Sequence, residues 1–495
     1  MSHDSGVTDA NPPAGEQGQQ LAKGSLRTID AIAISISVLS PGMAMLLNLP
    51  GVAAVAGGST PLATLLGGIG CMSLAFVIIW FTRRMASAGY AYTYASRSLG
   101  KESGFMAGWL YAGALGCFVP MTMAGTAGLA VDLLGIGTGW WFPLFLVGMA
   151  LLVVLSIVRV SVTTKVQLVI GAATVAVIVI VVLVTIAKGG ASGNTLAPFT
   201  FSHTVSGGFN GVFYGIILGV TSYIGFETAA DFGEETANPR KSIPIAILAA
   251  ITFAVVLYVA TAYALTIGFG VDNGAAFGAD PVALKTIADK FVGGPFGALV
   301  EIGGMLSAFV VCVGVAMAST RTLFAMGREG VLPTWLGKTH PRFQTPANAT
   351  VMIAVLSTLA AALVGYTVGD VLGTATTTVY YFFATLGTLA IIVVYAGLCI
   401  GGMAYFRRFE NHNPLLHFGV PLIGLAIFAV AFYGSIYPAP PWPLNLTPYI
   451  TMIWFVIGLV IVLTLRTRNP TAVERIGSIL GEEGGEDAAV GVQHG

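Results

Sequence analysis

The chain has 495 residues, 56% of them hydrophobic and only 9% charged, with a mean hydropathy of +0.85. Soluble domains carry about 25% charged residues, so this composition excludes an ordinary soluble enzyme or binding module and points to a membrane protein. The 22 basic and 22 acidic residues balance, which removes the basic excess that a nucleic-acid partner would need.

In chain order, residues 1–24 are polar, contain Asn11-Pro12-Pro13 and lack an apolar signal-peptide core. They read as a disordered cytoplasmic tail. A hydrocarbon core of about 30 Å needs about 20 apolar residues per helix. Twelve such runs lie near 28–53, 61–82, 102–130, 140–158, 163–187, 207–230, 242–267, 294–320, 347–366, 373–405, 417–436 and 447–465. The expected fold class is therefore an all-α membrane protein with twelve transmembrane helices in one domain, 25–466. A second tail, 467–495, holds a short helix at Val473–Leu480 and ends in Glu482, Glu483, Glu486 and Asp487.

Lysines and arginines mark the cytoplasmic side. Arg83, Arg84, Arg97 and Lys101 follow run two, Arg159 and Lys165 join runs four and five, and Arg240 and Lys241 follow run six. Arg321, Arg328, Lys338 and Arg342 follow run eight, and Arg407 and Arg408 follow run ten; only Lys188, Lys285 and Lys290 fall opposite. Both termini are then cytoplasmic. Two pieces are too polar to span: Met85–Leu99, expected along the cytoplasmic face, and Asp280–Phe291, expected as an extracellular cap.

Two runs are interrupted. Ser37-Val38-Leu39-Ser40-Pro41-Gly42-Met43 sits near the middle of run one. Pro41 has no N–H, so the Ser37 carbonyl loses its helical partner, and Ser40 is pushed out of the α region. Gly42 permits the unwinding. The amides of Gly42, Met43 and Ala44 then begin a new half-helix whose positive end can receive a carboxylate. Run six carries a second weak point, Thr221-Ser222-Tyr223-Ile224-Gly225, followed by Phe226-Glu227 and the stop Glu234-Glu235-Thr236-Ala237-Asn238-Pro239-Arg240-Lys241. Irregular backbone in lipid survives only where it is buried or lines a cavity. Interruptions five runs apart fit an inverted-repeat transporter.

Glu227 is a carboxylate inside an apolar run. Such a group is costly and functional by default; it reads either as a cap for the broken run or as a sensor of substrate or proton. Glu301, early in run eight, is a weaker candidate near the outer interface. Cys71, Cys117, Cys312 and Cys399 all fall in apolar runs and read as small hydrophobes. The six histidines fall in loops, tails or interfaces, and no CxxC, HExxH or GxSxG appears, so neither a metal nor a catalytic set is expected.

Three motifs together resemble the amino acid–polyamine–organocation (APC) superfamily of secondary transporters, over residues 26–466. The first is Tyr223-Ile224-Gly225-Phe226-Glu227 with Glu234-Glu235-Thr236, Asn238-Pro239-Arg240 and Ile243-Pro244. The second is Ala88-Gly89-Tyr90-Ala91-Tyr92 with Leu99-Gly100 and Gly108-Trp109. The third is Thr320-Arg321-Thr322-Leu323-Phe324-Ala325-Met326 with Arg328-Glu329-Gly330 and Leu332-Pro333. The resemblance implies a leucine-transporter-type fold: runs 1–5 (about 28–187) and 6–10 (about 207–405) as inverted repeats, with two accessory runs (about 417–465). It implies an amino acid bound between the breaks of runs one and six. Its carboxylate would meet the amides after Ser40, Pro41 and Gly42, and its ammonium would meet freed carbonyls around Ser37 and Thr221–Ile224. Phe226 or Tyr223 would close over it, and Cys117, Ser307 and Tyr380 would add to the pocket.

Departures qualify the carry-over. The arginine/agmatine exchangers of the family have tryptophan where Thr221 aligns, and some proton-coupled members have lysine where Thr174 aligns. Ser319 and Thr320 lie where sodium-coupled relatives supply hydroxyls. The coupling ion is thus open between sodium, with Ser319, Thr320 and Thr174 as its candidate site, and protons. No other cofactor is expected. Expected partners are a small-molecule substrate, an amino acid or amine, and the lipid bilayer of the cytoplasmic membrane, with the chain a monomer or homodimer. The alternative substrate class is a polyamine or other organocation, which Glu227 and Glu301 would allow. A channel would show filter motifs or charged rings, and a receptor a larger output domain.

Overall fold

Thr28 opens the first helix of a computed structural model that describes residues 27–85, 90–158, 164–205, 207–232, 236–328, 330–343, 345–409 and 413–468. Both predicted tails other than Thr467–Arg468 lie outside the described residues, as do Ala88-Gly89, Arg159, Glu234-Glu235 and Glu329. The side chain of Lys165 is likewise outside them.

Every regular element among the described residues is helical. Ten helical stretches are long and apolar enough to cross a membrane. The first of them, Thr28–Arg84, is 57 residues, about 85 Å at 1.5 Å per residue. That length cannot be one crossing, and the chain divides it. Helix α1 (Thr28–Leu39) stops at Ser40. A short turn, Pro41–Met43, and a π-helical turn, Ala44–Asn48, lead into α2 (Leu49–Ala56). After Gly57, at φ +56°, and a 3-10 turn, α3 runs from Thr60 to Arg84.

The remaining principal helices are α4 (Tyr90–Leu99), α5 (Lys101–Leu134), α6 (Trp141–Val158), α7 (Thr164–Ala187), α8 (Phe209–Tyr223) and α9 (Pro239–Phe269). They are followed by α10 (Ala283–Phe291), α11 (Phe296–Arg328), α12 (Ala347–Thr367), α13 (Ala375–Phe406), α14 (Val420–Gly434) and α15 (Thr447–Arg468). The centre is α5, which packs most extensively on α11 and α13. At the periphery, Val147, Leu151 and Val154 of α6 and Ile453, Val456 and Val460 of α15 are exposed. Apolar side chains facing outward on long helices are what a lipid solvent requires.

The two predicted interfacial pieces form short helices. Seven of the ten residues of α4 are buried; it lies against α5 and stacks Tyr94 on Phe81 at 5.0 Å. Its tyrosines therefore serve packing rather than a lipid face. The start of α10 is fastened by Asp280, which accepts from the Val282 N–H and the Thr286 hydroxyl.

Candidate substrate site

The break after α1 forms as the sequence dictates. With no N–H on Pro41, the Ser37 carbonyl accepts instead from the Ser40 N–H at 3.2 Å. Ser40 is forced to φ +46°, ψ +66°, a left-handed conformation costly for a non-glycine residue. The next helical turn begins with Ala44 donating to the Ser40 carbonyl at 2.9 Å. The Gly42 and Met43 amides thus precede the first bond of the new turn, where helix starts leave donors free. The Leu39 carbonyl takes the Tyr258 hydroxyl of α9 at 3.1 Å. The Ser40 hydroxyl is buried and has no hydrogen-bond partner.

Gly42 faces two hydroxyl residues. A Cβ there would lie 2.6 Å from Thr174 Cγ2 and 2.9 Å from Ser307 Oγ, so Thr174 of α7 and Ser307 of α11 both reach the first break. Only glycine leaves that gap.

The second break follows α8. The Ile224 N–H donates to the Thr221 carbonyl at 3.4 Å, and Gly225 takes φ +113° before a 3-10 stretch, Phe226–Phe232. Glu227 is buried, with one oxygen accepting from the Gly225 N–H at 3.0 Å and the other from the Tyr395 hydroxyl of α13 at 2.7 Å. Both oxygens are engaged, and the carboxylate braces the break. The two breaks touch each other: a Cβ on Gly225 would lie 2.8 Å from Val38 Cγ1 and 3.1 Å from the Leu39 N. Ser35 of α1 accepts from the Ala229 N–H at 3.2 Å, adding a second tie.

The other candidates divide into two groups. Ser222 donates to the Leu218 carbonyl and accepts from Asn48 Nδ2 at 3.0 Å; Asn48 in turn accepts from the Tyr380 hydroxyl at 2.7 Å. Thr221 meets the Thr388 hydroxyl at 2.6 Å. This polar cluster links the turn after the first break, α8 and α13. Tyr223 is turned into the scaffold, with its hydroxyl on the Thr64 carbonyl and its ring 5.3 Å from that of Tyr258. Phe226 is fully buried beside Tyr395. The Ser319 hydroxyl donates to the Ala112 carbonyl of α5, and the Thr320 and Thr174 hydroxyls bond back into their own helices at Ala316 and Ile170. Each of these three oxygens keeps lone pairs with which a cation could be met.

A separate cavity of about 240 Å3 lies beside this region. Its walls include Leu47, Gly125, Asp132, Pro281, Thr376 and Tyr380, and none of Ser40–Met43 or Thr221–Glu227. Tyr380 borders both the cavity and the Asn48 cluster. Beside the cavity, Lys285 of α10 bonds Asp132 at 2.9 Å and Glu301 at 2.6 Å. Burial works against the Lys285 ammonium, but its bonds to Glu301 and Asp132 prevail and hold it above the ordinary lysine value.

Asn48, Tyr258, Thr388 and Tyr395 had no place in the sequence reading. Asn48 carried a usable signal, as an amide well inside the first apolar run. The two tyrosines carried none, since nothing in local spacing ties Tyr395 to a carboxylate 168 positions away.

The described geometry has two interrupted helices in contact, with an unpartnered hydroxyl and helix-start amides at the seam. Comparison with known proteins gives the family of the chain. Residues 26–463 match the amino acid permease family. A branched-chain amino acid permease of Bacillus subtilis is 26% identical over 71% of this chain and 77% of its own length. A methylthioribose transporter of the same organism is 27% identical over 61% and 67%. A branched-chain amino acid permease of Lactococcus lactis is 29% identical over 53% of each chain. The chain belongs to the amino acid permease family of the APC superfamily and is a multi-pass membrane transporter rather than an enzyme.

Proposed function

We propose that this transporter moves amino acids across the cytoplasmic membrane by alternating access, binding them at the seam between the two breaks. The observation that carries the reading is the contact of Gly225 with Val38 and Leu39 beside the unpartnered Ser40 hydroxyl. In this reading the substrate carboxylate sits on the amides of Gly42 and Met43 and the Ser40 hydroxyl, where a helix start favours an anion. The ammonium meets carbonyls of Ser37 and of Thr221–Ile224. The side chain lies toward Ser307, Cys117 and Tyr380. Phe226 gates the site and Glu227 holds the gate's backbone.

The topology proposed with it has twelve crossings. Thr28–Ala56 and Thr60–Arg84 count as two, and Phe209–Phe232 as the sixth. The first ten crossings form two inverted sets of five, and both termini are cytoplasmic. Coupling to sodium would use Ser319 and Thr320, while coupling to protons requires an acid. An amino acid is favoured over a polyamine by the engagement of the intramembrane acids: Glu227 holds Gly225 and Tyr395, and Glu301 holds Lys285.

Thermal stabilisation of the purified protein by a panel of neutral and cationic amino acids, putrescine and methylthioribose tests the substrate class. Stabilisation by an amino acid, lost in Gly42→Leu, is expected. Stabilisation by putrescine alone would replace this reading with the organocation one. Uptake into proteoliposomes under imposed sodium and pH gradients then assigns the coupling ion.

A further inference from the structure

Glu301 lies in α11, one and a half turns from its start, and is 1% exposed. One carboxylate oxygen meets Lys285 Nζ at 2.6 Å, while the other, Oε1, is buried with no hydrogen-bond partner. An ionised carboxylate oxygen sealed from water without a donor is strongly disfavoured. A proton on that oxygen removes the penalty and turns the orphan acceptor into a donor.

The surroundings suit one proton. Lys285 is 28% exposed and also holds Asp132, which is 51% exposed at the end of α5. Two carboxylates therefore share a single ammonium, and the cluster carries one negative charge in excess. The other lysines at this end are engaged elsewhere: Lys188, just beyond α7, bonds the Phe291 carbonyl, and Lys290 of α10 bonds the Gly268 carbonyl at the end of α9. Asp289 faces Gly297. Among the other helices packed on α11, α6 and α12 contain no acidic or basic residue. On α1, Asp30 is engaged with Arg27.

We infer that Glu301 is a proton-binding site, taking a proton at its unpartnered oxygen while Lys285 remains with Asp132. The step is a simple association: the carboxylate gains one proton and becomes a neutral acid. The bond from Lys285 to Glu301 then loses its ionic partner. Lys285 sits on the segment whose Pro281 and Val282 wall the cavity, and Asp132 is another of its walls. Proton uptake is thereby tied to the packing of the cavity's outer wall. The link to transport rests on the function proposed above; the proton site itself does not.

Infrared difference spectra of the full chain, acidified from about pH 8 to about pH 5, test the site, because exposed carboxylates with values near 4 stay largely ionised over that range. The expected result is a carboxylic-acid carbonyl band, downshifted in D2O, which disappears in Glu301→Gln and persists in Glu227→Gln. Side-chain 13C labelling of glutamate, but not of aspartate, should move the band in the wild-type chain, which keeps the test decisive if the variant does not fold. A wild-type chain without the band, a band that survives Glu301→Gln, or one moved only by labelled aspartate would overturn the assignment. In proteoliposomes, Glu301→Gln should lose the component of uptake driven by a pH gradient. Uptake in Glu301→Gln with unchanged pH dependence would overturn the coupling. A band without any wild-type uptake would instead sink the proposed function and leave the proton site standing.

Discussion

The two breaks are built from the same kind of residue and finished differently. At the second, Gly225 bends the chain and Glu227 ties the bend, with both carboxylate oxygens hydrogen-bonded. At the first, Pro41 and Gly42 open the helix and the Ser40 hydroxyl has no partner. One bend is fastened by its own protein, while the other keeps polar groups in reserve. A buried polar group without a partner raises the energy of the empty state, and a ligand that supplies the partner recovers it. In the proposed function the second break holds the seam and the first meets the substrate.

Substitutions can break that division. The largest effect is expected at Gly225. Alanine there meets φ +113° and a Cβ 2.8 Å from Val38, a combination expected to cost about 3 kcal/mol or more. A steep fall in the thermal midpoint of Gly225→Ala checks it, and a midpoint near wild type would dissolve the claimed contact between the breaks. Glu227→Ala comes next, because it leaves the Gly225 N–H and the Tyr395 hydroxyl unpaired, at about 1–3 kcal/mol each. Glu227→Gln keeps an acceptor oxygen and should stay folded while transporting poorly. Wild-type uptake with unchanged pH dependence in that variant would confine Glu227 to structure.

Smaller effects sharpen the contrast. Tyr395→Phe removes one bond to the brace and should destabilise by about 1–2 kcal/mol. Ser40→Ala removes no hydrogen bond made by the empty protein and deletes a buried hydroxyl that has no partner, so the empty variant should be no less stable than wild type. Its ligand-induced thermal shift should nevertheless shrink. A large loss of stability in Ser40→Ala, with binding intact, would reverse the roles given to the two breaks.

The smallest effect lies at the Lys285 tether. Lys285 is held above its ordinary value of 10.5, so its contribution to stability is complete below that value. It is lost as pH rises through the higher folded-state value. Thermal midpoints measured up the alkaline limb should therefore fall less steeply in Lys285→Gln than in wild type.

The breaks themselves were legible along the chain because their causes are local. Pro41 removes an N–H from its own turn and restricts the residue before it. Gly225 beside Glu227 announces a weak point and a charge within a few positions. Lys285 and Glu301 were each visible as exceptions, one a cation on the sparsely charged side and the other an acid in an apolar run. Their meeting at 2.6 Å was not, because α10 and α11 are joined by a turn whose path depends on packing. The same holds for Tyr223. The resemblance gave Tyr223 a part in closing over the substrate, but its hydroxyl is drawn to the Thr64 carbonyl of a different helix.

Composition and hydrophobic runs settled by themselves that this chain lives in a membrane as a bundle of helices interrupted at Ser40–Gly42 and within Thr221–Gly225. Those properties follow from transfer of apolar residues into lipid and from backbone chemistry acting within one or two turns. The tertiary structure decided that the interruptions touch, that Tyr395 and Tyr258 complete them, and that Ser40 does not find a partner. Such pairings join residues far apart in the chain, and only the packing of helices around α5 brings a donor on one within reach of an acceptor on another.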